Sequence, residues 1–426
     1  MCAPGVTGLA IDFESRYKKP AIPVVLREFQ EQLTDVGYAK GMPGIRIQYI
    51  LGPVWGKTGE QLRKAVVYGN NPITGKPVAQ EIVDKITKPL TADEKQTGEW
   101  KRSLGPATYS GTAAELQKLF LEKRYTDFMP VILPTEALVD EMLKATSHAP
   151  DEMLGRMNPG SDAGETWTYT VKTAAISAVM SGAKPEYFPI ILAIGSTGQT
   201  GVNVSDNGFM AGAVINGDIR DEVGLNYDVG AMGPYAHANT TIGRAWNLLS
   251  INGGNCGKVG TTYMGTVGNP MNAINIIIAE NEENSPFEPF SVRKGFEKGQ
   301  NIITLFTGWG VLSAKNWKAN VWGTTMDYPK IIKDIFDQQD SMFGTIAVLS
   351  PPIANFVKDA GYNTVEDFTA YVTGQSAAKP KAKFGGFGGF GMGSAFTLVV
   401  TGASNNNYFS MGGMRPGQSI EIDPWR

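Results

Sequence analysis

Between residues 23 and 37, Val24, Val25, Leu26, Phe29 and Leu33 fall near one helical face, and Gly37 is placed to stop the helix. IRIQYIL (45–51) alternates as a half-buried strand does. TGEQLRKAVVYG and KPVAQEIVDKIT then show helical spacing, with Pro77 in a first turn that tolerates proline. These short pieces read as a helical and irregular cap over residues 1–107. From residue 108 the pattern changes. TAAELQKLFLEK reads as a helix, MPVILP as a short buried strand, and EALVDEMLKA as a helix capped by Thr135. WTYTVKTAAISAVMSG reads as a strand feeding a helix, and PEYFPIILAIGST as a second helix. AGAVING, INIIIAE, NIITLFTG and GTIAVLS are apolar runs bounded by turns, as in a sheet covered on both faces. NTTIGRAWNLLSIN and YPKIIKDIFDQQDSM supply helices between them.

This alternation predicts an α/β fold: a mixed, partly parallel sheet with helices on both faces, over residues 108–373. No period marks a repeat array. At Gly374 the composition shifts. QSAAKPKAKFGGFGGFGMG holds lysines without acids, and glycine pairs separate Phe384, Phe387 and Phe390. Residues 374–395 are read as a linker or as a loop packing its phenylalanines on a partner or over a site. The tail, 396–426, has strand signals at both ends and is expected to fold back onto the body.

Composition narrows the function. Charged residues are 19% and the net charge is −3, so no global field favours nucleic acid. No apolar run reaches about 18 residues, so no transmembrane segment is expected. The first residues lack a signal-peptide pattern, which makes a cytoplasmic location the default expectation. The two cysteines, Cys2 and Cys256, exclude a disulfide framework and a CxxC zinc site. High glycine and proline counts, 51 and 25, imply shaped loops, and such a chain is expected to leave apolar surface for another subunit.

The first chemical candidate is IIIAENEENSPFEPF (276–290). Glu280, Glu282, Glu283 and Glu288 crowd a turn where a buried strand ends, the place where open α/β sheets bind ligands. Crowding raises carboxyl pKa values, which suits an acid or base, and Glu280 and Glu283 are the candidates. Glu280, Glu282 and Glu283 are also the oxygen donors for a divalent cation, should one bind. The alternative is a solvated acidic loop. The second candidate is NGDIRDEVGLNYDVGAMGPYAHANTTIGRAWNLL. Asn216 follows a strand, His237 is one of two histidines, Asn239 is placed to cap a helix, and Arg244 is placed to clamp an anion at that helix's start. Glu186 and Asn406 are further substrate-binding candidates, Asn406 within the amide run of SNNNYFSMGGMRPG. Each of these residues has an ordinary structural use as well. Cys256 stands near Lys258, which would lower a thiol pKa, but a structural thiol is the favoured reading. GPVWGKTGE misses the phosphate-loop spacing because Leu51 stands where a glycine is needed. ILAIGSTGQTGVN is glycine-rich but follows a predicted helix rather than a strand.

GPVWGK, NPITGKPVAQEIVDKITKPLT, TDFMPVILPTEALVDEML, TSHAPDEMLGRM, TVKTAAISAVMSGAKPEYFPIILA, ANTTIGRA and AENEENSPFEPF, in that order, resemble the UGSC family of (seleno)proteins from about residue 50 to residue 370. That family carries selenocysteine or cysteine followed by Gly-Ser-Cys. This chain lacks the motif. The resemblance therefore implies a large, substrate-holding subunit with a small thiol or selenol partner, together reducing or cleaving a carbon–heteroatom bond in a small polar molecule. A cofactor-independent lyase or hydratase using Glu and His is the alternative within one chain. A non-catalytic assembly scaffold is the third reading.

Overall fold

A computed structural model describes residues 3–54, 56–98, 108–160, 164–202, 210–233, 235–265, 267–314, 327–338, 344–374, 396–404 and 408–426. The cap opens with a helix not anticipated from the spacing, α1 (Ala3–Tyr17). The stretch read as one helix divides into β1 (Val24–Leu26) and α2 (Gln30–Ala39), and β1 pairs in parallel with β2 (Gln48–Ile50). α3 (Gly59–Leu62) starts at a capping box between Thr58 and Gln61 and runs on as one π-helical turn. α4 (Val78–Thr87) turns a charged side inward, where buried Glu81 accepts bonds from Gln48, Asn71 and Thr74. The cap meets the body where Gln32 Nε2 donates to the Thr261 carbonyl at 2.6 Å. Burial there lifts the Asp35 carboxyl to about 6.

α5 (Ala113–Glu122) begins at a second capping box, Thr112 with Glu115. MPVILP forms no strand, contrary to its apolar spacing. Pro130 and Pro134 each remove an N–H donor, so the segment has too few donors for a ladder. It crosses the surface as a loop, held by Ile132 N–H on the Met180 carbonyl at 3.3 Å. Thr135 caps α6 (Glu136–Leu143) as expected, accepting from the Leu138 N–H. β3 (Met153–Met157) and β4 (Trp167–Thr170) form an antiparallel pair, and β4 runs straight into α7 (Val171–Ser181), which α8 (Phe188–Ser196) follows.

The remaining strands build one sheet: β5 (Met210–Asn216), β6 (Ile276–Ala279), β7 (Ile302–Ala314), β8 (Thr345–Leu349), β9 (Phe396–Val400) and β10 (Tyr408–Glu421). Their spatial order is β6-β5-β7-β10-β8-β9. β5 pairs in parallel with β6 and antiparallel with β7. β8 repeats this pattern with β9 and β10, and β7 meets β10 antiparallel at the centre. The sheet is thus two like halves related by an approximate two-fold. The tail from residue 396 supplies one edge strand and a central one. Between the strands lie α9 (Ile219–Glu222), α10 (His237–Gly254), α11 (Phe290–Arg293), α12 (Tyr328–Gln338), α13 (Pro351–Asp359) and α14 (Val365–Thr373).

Alternation along each strand sorts the core. Ala211, Ala213, Ile215, Ile303 and Leu305 pack with α7, α8 and α10, and Ala347, Leu349, Leu398 and Val400 pack with α12 to α14. The opposite side chains, Met210, Val214, Ile278, Phe306, Ile346, Val399 and Met414, form a separate cluster to which all six strands contribute, closed by Phe290 of α11. The two edge strands also touch. Asn281 N–H donates to the Val400 carbonyl at 2.8 Å, and Thr401 Oγ1 donates to the Ala279 carbonyl at 2.7 Å. The sheet therefore curls until its edges are stitched where β6 and β9 end, which leaves neither edge open there. No helix among the described residues is long and apolar enough to cross a membrane.

The chain's end is clasped to the loop before β3. Ser147 N–H donates to the Arg426 carbonyl at 3.0 Å, and His148 stacks on Trp425. One His148 nitrogen meets the Pro424 carbonyl at 2.9 Å and the other meets Glu152 at 2.9 Å. Both contacts favour the charged ring, the Pro424 carbonyl most, and hold the His148 pKa above its ordinary value. A raised histidine pKa stabilises the fold fully below about 6.5, and that contribution fades as pH climbs through the folded-state value. His148→Gln is therefore expected to lower the melting temperature more at pH 6 than at pH 8.5. An equal drop at both would show that the charged form plays no part in the clasp.

Candidate functional site

The glutamate turn is a bonded network, buried at Glu280 and open to solvent at Glu283. β6 ends at Ala279 and β5 at Asn216, side by side in a parallel pair, so both next residues emerge at the same end of the sheet. Glu280 is 1% exposed. Its Oε2 accepts from Asn216 Nδ2 at 2.6 Å and from the Phe290 N–H at 2.6 Å, with Arg293 4.0 Å away. Burial pushes this carboxyl above its ordinary range, against the pull of Arg293, the Phe290 N–H and Asn216. Burial also draws the Arg293 guanidinium down, so neither charge is fully repaid by the other. Asn216 is fully buried and donates to Glu282 as well, at 2.9 Å, while its Oδ1 has no partner.

Arg220 of α9 closes the other side. It is 2% exposed. Its Nε donates to the Gly217 carbonyl at 2.8 Å, its Nη1 to the Glu280 carbonyl, and its fork grips Glu283 at 2.7 and 3.2 Å. Burial opposes ionisation of Glu283, yet the Arg220 fork prevails and holds that carboxyl below its ordinary range. Glu282 accepts the Gly217 N–H at 2.9 Å and lies 3.5 Å from Arg220. Asn281 ties the turn to Tyr227 and Gly402 through their carbonyls. A core strand can end in carboxylates here because two guanidinium groups and a buried amide meet them. Those donors occupy the places a cation would take at Glu280, Glu282 and Glu283. Among the described residues no three of His, Cys, Asp and Glu converge as metal ligands.

The second predicted group divides. Asn239 does not cap α10. The cap position is Ala236, which has no side-chain bond. Asn239 lies in the first turn, buried, and its amide brackets Asn226 and the Ile277 carbonyl, because that face of α10 packs on β6. Arg244 faces away from the sheet, where Asp127 holds it by a fork at 2.8 and 2.9 Å and Pro130 adds a carbonyl. Its guanidinium is engaged there, apart from the glutamate turn. His237 is exposed at the start of α10, 3.4 Å from the hydroxyl of buried Tyr187. Glu186 stands next to Tyr187 and pairs with Lys184 at 3.6 Å. Structure thus gathers His237, Tyr187 and Glu186 in one place, and Glu280, Glu283 and Asn216 in another. Asn406 and residues 375–395 lie outside the described residues. Cys256 is buried, its thiol donates to the Gly254 carbonyl at 3.2 Å, and burial drives its pKa far up. Nearby Lys258 does not offset that desolvation.

A cleft of about 740 Å³ opens elsewhere, between β3 and the turn that follows α8. Its walls carry Arg156, Asn158, Thr166, Ser196, Gln199 and Thr200. Close backbone contacts set them. A Cβ on Gly198, whose φ is +67°, would meet the Arg156 carbonyl oxygen at 2.4 Å. Tyr169 OH donates to the Gly195 carbonyl at 2.6 Å, and Trp246 Nε1 to the Gln199 carbonyl at 2.8 Å, fixing the turn from beneath. None of these lining residues was a sequence candidate. The available signal was the run of small polar residues in GSTGQT directly after an all-apolar helix, and its glycines suggested only a nucleotide loop. Compared with protein-family models, curated proteins and solved structures, the chain matches none.

Proposed function

We propose that this chain is the large, substrate-holding subunit of an enzyme acting on a small polar organic molecule, with a small Cys or Sec partner supplying the thiol or selenol. The observation that carries this reading is the pairing of an open polar cleft with a sealed thiol. The cleft offers hydroxyl, amide and guanidinium groups suited to holding a polar molecule. Cys256 is enclosed with its pKa raised, so it is unsuited to attack. With Cys256 enclosed, the thiolate for reduction or cleavage of a carbon–heteroatom bond is assigned to the partner; Cys2 lies outside the described residues. The ordered segments that resemble the UGSC family, without the motif that names it, support the same division of labour. Glu280 and its neighbours serve in this reading as the rigid end of the sheet.

Two measurements test it. In the native fold, iodoacetamide is expected to leave Cys256 unlabelled over hours, and urea to expose it. Cys256→Ser is expected to leave turnover by the assembled enzyme unchanged, while the purified chain alone is inactive. Rapid native labelling, or turnover by the chain with no thiol protein added, would remove the reading.

A further inference from the structure

We propose that the cleft between β3 and the end of α8 binds a small hydroxy-carboxylate, with Arg156 taking the carboxylate and the hydroxyl-bearing wall taking the rest. This rests on the substrate-holding reading above and names the class of molecule held.

The wall's bonding decides the chemistry. Ser196 Oγ donates to the Ala193 carbonyl at 2.9 Å, and Thr197 Oγ1 to the Ile194 carbonyl at 2.7 Å. These hydroxyls cap the last carbonyls of α8, so their protons are committed and their lone pairs remain. Thr197 also accepts the Gln199 N–H at 2.9 Å, which leaves Ser196 as the open acceptor. Such an acceptor calls for a ligand that donates, as a hydroxyl does. Thr200 is 3% exposed and lines the cleft, yet its hydroxyl has no hydrogen-bond partner among the described residues. That hydroxyl is therefore open to a polar group of whatever fills the cleft, as donor or as acceptor. Arg156 stands on β3 opposite Thr168 of β4 and has no ion pair among the described residues. A guanidinium fork matches a carboxylate in two parallel bonds. Among the described residues it is the one cation in the lining, so a singly charged carboxylate balances it better than a doubly charged phosphate. The volume, about 740 Å³, exceeds a molecule of a few carbons and leaves room for a reacting group brought by the partner.

The test is calorimetric titration of the full chain, without partner, with glycerate, lactate, glycerol, acetate and inorganic phosphate. The hydroxy-carboxylates are expected to bind at least about tenfold tighter than acetate, glycerol or phosphate. Arg156→Ala, at an exposed position, is expected to weaken glycerate or lactate binding at least about tenfold. Thr200→Val is expected to weaken it several-fold, with the melting temperature held. No binding by either hydroxy-carboxylate, tighter binding of phosphate, or unchanged affinity in Arg156→Ala would each overturn the proposal. Because no partner is present, that failure concerns the ligand class alone. Binding as expected, followed by turnover of the chain alone, would instead remove the two-subunit reading and leave the cleft assignment standing.

Discussion

Arg220→Met is expected to cost about 3–5 kcal/mol of stability, the range seen when one partner of a buried ion pair is removed. Methionine keeps the length and the apolar stem but supplies no donor. The Glu280 carbonyl and the carboxylate of Glu283 then lose their partner at once, and the Gly217 carbonyl keeps only the backbone N–H of residue 220, at 3.3 Å. Glu282, with its side chain 8% exposed, also loses the nearest compensating charge. The exposed half of Glu283 can return to water, so the damage comes chiefly from the stranded Glu280 carbonyl and Glu282. Arg220→Lys keeps the charge but not the fork, so an intermediate loss is expected. Urea midpoints followed by fluorescence and circular dichroism check this. A shift worth under about 1 kcal/mol for Arg220→Met would mean that the turn is solvated, as an ordinary acidic loop is.

Gly243→Ala is expected to destabilise the fold although it sits mid-helix in α10. Propensity alone predicts a gain of about 1 kcal/mol. A Cβ at that position, however, would lie 2.0 Å from the Asn275 carbonyl oxygen and 3.0 Å from its carbon. Both are backbone atoms leading into β6, so they cannot swing aside as a side-chain tip would. α10 must lift off the sheet, and Trp246, fully buried one turn on, moves with it. Overpacking of this kind costs about 1–3 kcal/mol and more where backbone must shift, so the net is a loss of about 2 kcal/mol. A measured gain in midpoint would show that helix and strand do not approach so closely. Gly254, at the other end of the helix, offers a milder comparison. A Cβ there meets only side-chain atoms, Met157 Cβ and Sδ at 2.8 and 2.9 Å and Cys256 Sγ at 3.4 Å.

Much of the element list was readable from spacing. AGAVING, INIIIAE, NIITLFTG and GTIAVLS became strands of one sheet, and Thr135 caps its helix as its position implied. α1 escaped notice because its apolar residues do not confine themselves to a stripe. Leu9, Phe13 and Tyr17 are exposed while Ile11 is buried. MPVILP looked like a strand because hydrophobic spacing ignores the donors that proline removes. The carboxylate turn was visible, but Asn216 belonged to the other candidate segment, and only the fold brings it to Glu280 and Glu282. Arg220 was passed over for Arg244, although it stands only four residues after Asn216 in the same quoted segment. Nothing local separates the two arginines. One meets Glu283, 63 residues away, and the other meets Asp127, 117 residues away.

The sequence by itself determined the α/β class, most helices and strands, the chain's poverty in cysteine, and a knot of acids at a strand end. These depend on periodicity, caps and composition, which act over a few residues. Tertiary structure alone decided that the tail forms a central strand, that the sheet is two like halves stitched at their edges, and that the acids are met by Arg220 and Arg293. It also decided where the polar cleft opens. Each of these depends on which distant groups end up within about 3 Å of one another, a distance at which burial turns an unpaired charge or amide into a large cost.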